Sequence, residues 1–130
     1  MRVLIVDDED SVRSIVRLQL EIDRRFTVVG EAVDGRGAIK AAAELQPDIV
    51  ILDLMMPGTS GLDALPEIRR CAPEARVIVL SALRESEMGH LAMAQGADAY
   101  VDKLVAAGGA LPTIVAGVMA GVRERVHRPA

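Results

Sequence analysis

The sequence predicts an α/β fold, with a mostly parallel sheet of five strands and helices on both of its faces. Short β-type runs alternate with segments of helical spacing along the 130 residues, which is the pattern of repeated strand–helix–strand units. The runs begin near residues 2, 26, 48, 76 and 98. Each interval holds one strand, one crossover helix and two short loops, as parallel neighbours require.

The strands differ in polarity, and this difference predicts their places in the sheet. The first, third and fourth contain the apolar runs VLIV, IVIL and VIVL, which suit interior strands that are buried on both faces. The second and fifth, TVVGEA and DAYVD, carry polar residues and suit the edges. The five strands are predicted at 2–6, 26–32, 48–52, 76–80 and 99–101.

The segments between the strands carry apolar residues three or four positions apart, so these side chains share one face of a helix. Such faces run over 12–20, 38–45, 62–72, 88–95 and 111–122. We expect residues 1–125 to form one domain and 126–130 to be a C-terminal tail or the start of a linker.

Composition predicts a folded protein that does not itself bind nucleic acid. Hydrophobic residues make up 51% and charged residues 26% of the chain, which favours a packed core over disorder. The net charge of −4 disfavours contact with a phosphate backbone. No apolar run is long enough for a signal peptide or a membrane span, so we expect a cytoplasmic protein without membrane contact. Cys71 is the single cysteine, which excludes an internal disulfide.

Polar residues follow or end four of the five predicted strands. They are Asp7 and Asp8 at the first strand, Asp53 at the third, Ser81 at the fourth, and Tyr100 and Lys103 at the fifth. In an open α/β sheet, ligands bind beyond the carboxyl ends of the strands. Each residue alone has an ordinary explanation, such as a helix cap or a solvated lysine. Because they occur together, they predict a single site.

The residue types at this edge indicate phosphoryl chemistry with a metal ion. Asp53 follows four apolar residues, and a buried carboxylate is costly unless it is paired or bound to a metal. Three clustered carboxylates repel one another unless a cation lies among them. Ligand sets of oxygen alone favour Mg²⁺. A carboxylate beside Mg²⁺, with a lysine and a hydroxyl nearby, can attack phosphorus to form an aspartyl phosphate.

Four motifs resemble those of response-regulator receiver domains in two-component signalling. They are IVDDED at 5–10, DIVILDLMMPGTSGLDAL at 48–65, VIVLSA at 77–82 and GADAYVDK at 96–103. The stretch FTVVGEAVDGRGAI at 26–39 resembles the subgroup often fused to a helix-turn-helix DNA-binding domain. The resemblance implies a flavodoxin-like doubly wound (βα)5 fold with strand order 2-1-3-4-5.

The same resemblance implies that Asp53 accepts the phosphoryl group. It implies that Asp7, Asp8, Asp53 and the main-chain carbonyl of Met55 hold Mg²⁺.

It further implies that Lys103 contacts the phosphoryl group, that Ser81 hydrogen-bonds to it, and that Tyr100 changes rotamer with Ser81. The output face would comprise the fourth helix, fifth strand and fifth helix, which is also the candidate face for a homodimer. The partner would be a sensor histidine kinase or a phosphotransfer protein. The chain would not be a turnover enzyme, but a phosphoacceptor that assists its own phosphorylation and dephosphorylation. Whether it acts as a stand-alone receiver or as part of a DNA-binding regulator is left open.

Two other classes of function compete with this interpretation. A Mg²⁺-dependent phosphatase with an aspartyl nucleophile would carry D-x-D after the first strand, whereas here that strand ends in DDED and the best nucleophile follows the third. A nucleotide or flavin binder needs a phosphate loop rich in Ser, Thr or Gly after the first strand. Four acidic residues at that place would repel phosphate.

Overall fold

Six parallel strands form the sheet, in the order β2-β1-β3-β4-β5-β6. The computed structural model describes residues 1–82, 85–121 and 124–126, without the side chains of residues 85–87, 105 and 124–126. The strands are β1 (Arg2–Val6), β2 (Thr27–Ala32), β3 (Ile49–Leu52), β4 (Arg76–Ser81), β5 (Ala99–Asp102) and β6 (Glu124–Val126). The order 2-1-3-4-5 of the first five strands confirms the predicted doubly wound topology.

Helices connect successive strands. They are α1 (Asp10–Ile22), α2 (Gly35–Leu45), α3 (Gly61–Cys71), α4 (Glu85–Ala94), the short α5 (Lys103–Val105) and α6 (Leu111–Met119). The segment between the last two (Ala106–Ala110) is kinked at Gly109, where φ is 91°. The predicted fifth helix corresponds to α6. Three helix starts in the described part of the chain carry side-chain caps, because Asp34 accepts from the Gly37 N–H, Ser60 from the Asp63 N–H and Asp102 from the Leu104 N–H. Among the described residues, no helix is both long and apolar enough to cross a membrane.

Alternate side chains of the strands fill two separate cores. On one face Val3 and Ile5 of β1 pack with α1 and α6, and on the other Leu4 and Val6 pack with α2, α3 and α4. This alternation follows from the period of two in a strand. It explains why the interior strands need apolar residues at every position.

A sixth strand, which the sequence did not predict, lies beyond β5. It pairs in parallel with β5, with Ala99 opposite Glu124 and Val101 opposite Val126. Strand β5, expected at an edge, is therefore covered on its outer side. The run ERV is too short and polar to signal a strand by pattern. The predicted boundary between the domain and the tail falls within β6 and stays a prediction, and residues 127–130 lie outside the described part.

Candidate functional site

The sheet register brings Asp7 and Asp53 to the same edge. Strands β1 and β3 are neighbours, and Val6 is paired with Leu52. The Asp53 N–H donates to the Val6 carbonyl at 2.9 Å, which extends the ladder by one residue. Both aspartates are 2% exposed. Two acids are thus held side by side at the carboxyl ends of adjacent interior strands.

Asp8 completes a cluster of three carboxylates that could hold a metal ion. One carboxylate oxygen from each of Asp7, Asp8 and Asp53 lies within 4.8 Å of the others. Asp8 is exposed, so the cluster opens to solvent on that side. The donor set contains oxygen alone and suits a hard divalent cation. Met55 stands next to the cluster, since its N–H donates to Asp53 Oδ1 at 3.2 Å, and its side chain is exposed.

Lys103, directly after β5, supplies positive charge at the same edge of the sheet. Its Nζ lies 2.9 Å from Asp7 Oδ2 and 3.5 Å from Asp53 Oδ2. The turn that carries it is fixed by Asp102, whose Oδ1 accepts from the Leu104 N–H at 2.7 Å. The lysine is therefore oriented by the end of β5.

The electrostatics of the site act in opposite directions on Asp53. Burial raises the pKa of Asp53 to about 6, the neighbouring Asp7 charge adds to the rise, and Lys103 and the Met55 N–H oppose it. Burial alone would lower the pKa of Lys103, but its hydrogen bond to Asp7 and the charges of Asp53, Asp7 and Glu9 together outweigh burial and raise that pKa. Above pH 6 the site therefore contains an ionised Asp53 beside a charged lysine.

The two predicted switch residues lie at β4 and β5. Ser81 is the last residue of β4, is fully buried, and is paired with Asp102 across the sheet. Tyr100 is fully buried in the core on the α2, α3 and α4 side. The structure thus brings the carboxylates, Lys103 and Ser81 to one edge, and places Tyr100 in the core beneath it.

Sequence reasoning missed three residues that shape the site. The Glu9 N–H donates to Asp7 Oδ1 at 2.9 Å, and Asp102 caps the turn of Lys103. A short acid directly before Lys103 could have indicated that cap. Arg13 donates from Nη1 to the main-chain carbonyl of Asp7 at 2.7 Å. Its signal in the sequence is weak, because an arginine in an early helical turn is common.

The loop after β3 is pressed against the start of α3 at Gly61. The Gly61 N–H donates to the Leu54 carbonyl at 3.1 Å. A Cβ at Gly61 would lie 1.9 Å from the Asp53 carbonyl oxygen. Glycine is therefore required there for the main chain of Asp53 to take its place.

These features define a doubly wound α/β domain whose site suits a divalent cation and a phosphoryl group. Residues 3–115 match the profile of the response regulator receiver domain. The chain belongs to that family, and the resemblance drawn from the four motifs is confirmed.

Named relatives agree with this assignment. The chain is 35% identical over 107 residues to the response regulator protein VraR of Staphylococcus epidermidis, covering 82% of this chain and 51% of the relative. It is 37% identical over 103 residues to the response regulator GacA of Pseudomonas aeruginosa, covering 79% and 48%. A LuxR-family two-component response regulator of Aurantimonas sp. superposes with a TM-score of 0.82 at 34% identity, over 95% of this chain and 87% of that one. The chain spans about half the length of the two relatives matched by sequence.

Proposed function

We propose that this chain is a phosphorylation-controlled switch in which Asp53 accepts a phosphoryl group from a sensor histidine kinase or a phosphotransfer protein. One observation carries the proposal. Asp53 is buried at the end of an interior strand, with two other carboxylates within 4.8 Å and the ammonium of Lys103 at 3.5 Å. A structural ion pair would need one acid and one base, whereas this edge concentrates three acids.

The reaction follows from the ionisation of Asp53. With a pKa of about 6, its carboxylate is mostly charged at neutral pH and can act as a nucleophile. An oxygen of Asp53 attacks the phosphorus of a phosphohistidine, the P–N bond breaks, and the imidazole nitrogen leaves with the electron pair and takes up a proton. Lys103 lies close enough to stabilise negative charge on the transferred group.

The residues present fit Mg²⁺. Asp7, Asp8 and Asp53 offer carboxylate oxygens, and the Met55 carbonyl is the proposed main-chain ligand. Bound Mg²⁺ would neutralise charge on the phosphoryl oxygens and relieve the repulsion among the acids. The chain's own contribution is to hold these ligands on two adjacent strands and one short loop.

The signal would leave the site through Ser81 and Tyr100. Ser81 would hydrogen-bond to the phosphoryl group, and the ring of Tyr100 would follow, shifting an existing equilibrium between two states. The output face would comprise α4, β5 and α6, and would serve a cytoplasmic homodimer. Because this chain spans about half of the response regulators matched by sequence, and a structural neighbour is a LuxR-family response regulator, we propose a role in transcription control for the whole protein.

The test is incubation with Mg²⁺ and acetyl phosphate, read by intact mass. Wild type should gain one phosphoryl group and Asp53→Asn none, while Asp63→Asn, an exposed acid on α3, should behave as wild type. An adduct that persists in Asp53→Asn would contradict the site, and the absence of any adduct on wild type would contradict the function. Continued turnover of a generic phosphate ester would instead support the aspartyl phosphatase alternative.

A further inference from the structure

Arg13 of α1 links the acidic loop of the site to the second strand. Its Nη1 donates to the Asp7 main-chain carbonyl at 2.7 Å, and its Nε donates to Glu31 Oε1 on β2 at 3.0 Å. It also pairs with Asp10. Although the Asp10 and Glu31 side chains reach solvent, the Arg13 side chain is only 12% exposed. Three separate contacts therefore fix one guanidinium against the loop that carries Asp7 and Asp8.

A guanidinium suits this task better than an ammonium would. Its donors lie in one rigid plane and remain charged at all relevant pH values. The Nη1 side of the guanidinium can donate to the Asp7 carbonyl while the Nε side donates to Glu31. The loop between β1 and α1 is three residues long. The Asp7 N–H donates to the Ala32 carbonyl at 3.1 Å and the Glu9 N–H donates to Asp7 Oδ1 at 2.9 Å, and Arg13 adds the contact with the Asp7 carbonyl. A shift of its main chain would move both the Asp7 and the Asp8 carboxylates relative to Asp53.

We propose that Arg13 is a positioning residue for the cation site, acting through the main chain of Asp7. This inference rests on the proposed function, because it assumes that the acid cluster binds Mg²⁺. Residues that orient metal ligands typically alter metal affinity by about 10–100-fold when they are replaced. The effect should fall on the affinity for the cation rather than on the chemistry of Asp53.

Arg17 provides a matched control on the same helix. It lies one turn after Arg13, donates from Nη2 to Glu31 Oε2 at 2.7 Å, and pairs with Glu21 at 2.9 Å. Arg17→Gln therefore removes the same charge and the same partner on β2 as Arg13→Gln. The two variants differ in the contact with the Asp7 carbonyl, which Arg13 alone of the two makes, and in the acid of α1 that each arginine pairs with, which is Asp10 for Arg13 and Glu21 for Arg17.

The experiment measures Mg²⁺ binding to the purified chain by calorimetry, without any phosphoryl donor. Arg13→Gln should weaken Mg²⁺ binding by about tenfold or more, while Arg17→Gln should stay close to wild type. With acetyl phosphate, Arg13→Gln should need more Mg²⁺ for half-maximal labelling but reach the wild-type rate at saturation. Thermal unfolding followed by circular dichroism checks that both variants are folded.

Arg13→Lys separates charge from geometry, because it keeps the charge and loses the planar fork. It should bind Mg²⁺ as weakly as Arg13→Gln. Wild-type affinity in Arg13→Gln or in Arg13→Lys, or equal weakening in Arg17→Gln, would overturn the positioning role. Failure of the wild-type chain to bind Mg²⁺ would count against the proposed function instead, so the two failures are distinguishable.

Discussion

The ammonium of Lys103 lies closer to Asp7, at 2.9 Å, than to Asp53, at 3.5 Å. Lys103 is thus shared between two carboxylates. Its shorter contact is to Asp7, whereas Asp53 is the proposed phosphoacceptor. The pKa of Asp53 is consequently raised in spite of the nearby cation, because burial and the Asp7 charge outweigh it. The proposed nucleophile stays ionised above pH 6 but is not locked in a tight ion pair.

Removing the lysine should raise the pKa of Asp53 further. In Lys103→Met, burial and the Asp7 charge remain while the opposing cation is lost, so the pKa should move above about 6. Carbon NMR of the Asp53 carboxyl group in the presence of a chelator measures this shift. Lys40→Met, an exposed lysine on α2, is the control and should leave the titration unchanged. A lower or unaltered pKa in Lys103→Met would contradict the assigned electrostatics.

Asp53 should make stability depend on pH in the metal-free protein. Its pKa is raised from 3.8 to about 6 in the folded state, so the folded state favours the protonated form. The contribution of Asp53 to the free energy of unfolding is therefore fully present below pH 3.8 and is lost as the pH rises through about 6. Asp53→Asn should therefore be more stable than wild type at pH 7.5, by about 1–2 kcal/mol after allowance for solvent screening.

Urea unfolding with a chelator, at pH 7.5 and at a pH below 3.8, checks this expectation. The two proteins should differ at the higher pH and converge at the lower one. An equal difference at both pH values would mean that packing, rather than ionisation of Asp53, causes it.

Some features of this fold and site follow from the sequence pattern, and others do not. The apolar runs and their spacing predicted five strands and the interior places of three of them, because burial on both faces of a parallel sheet dictates apolar residues at β1, β3 and β4. The order 2-1-3-4-5 was implied by the family resemblance. The strand ends then located Asp7, Asp8, Asp53 and Lys103. Strand β6 could not be predicted, because pairing with an existing edge places little demand on side chains. The Arg13 contact depends on a main-chain carbonyl, which has no sequence signature.

Gly61→Ala should disturb the main chain that carries Asp53. A Cβ there would lie 1.9 Å from the Asp53 carbonyl oxygen, so the loop or α3 must shift. We expect a loss of about 1–3 kcal/mol in the free energy of unfolding, together with slower labelling by acetyl phosphate. Gly108→Ala is the control, since no described atom lies within 4 Å of its added Cβ. Similar losses in both variants would show that the tight contact at Gly61 is not the cause.

Asp98 should matter for stability and not for phosphorylation. Its Oδ2 accepts from the buried Val77 N–H at 2.9 Å and pairs with Arg69 at 3.2 Å, at the amino end of β5 away from the site. Asp98→Ala leaves that N–H without this acceptor and should cost about 1–3 kcal/mol in urea unfolding. Glu67→Ala, which breaks an exposed pair with Arg70, should cost less than about 1 kcal/mol. Impaired labelling of folded Asp98→Ala would contradict the separation of the two regions.

Strand β6 should protect the outer side of β5. Its residues pair with Ala99, Tyr100 and Val101 of β5, and Tyr100 is the proposed switch tyrosine. Arg125→Pro removes a main-chain donor and restricts the preceding residue, so β6 should detach. Losing one or two hydrogen bonds of about 1 kcal/mol each should speed hydrogen exchange by a factor of about 5–30 at the β5 amides that face β6.

Amides of β2, at the opposite edge of the sheet, serve as the internal control and should not change. Unaltered exchange in β5 would show that β6 does not cover this edge in solution.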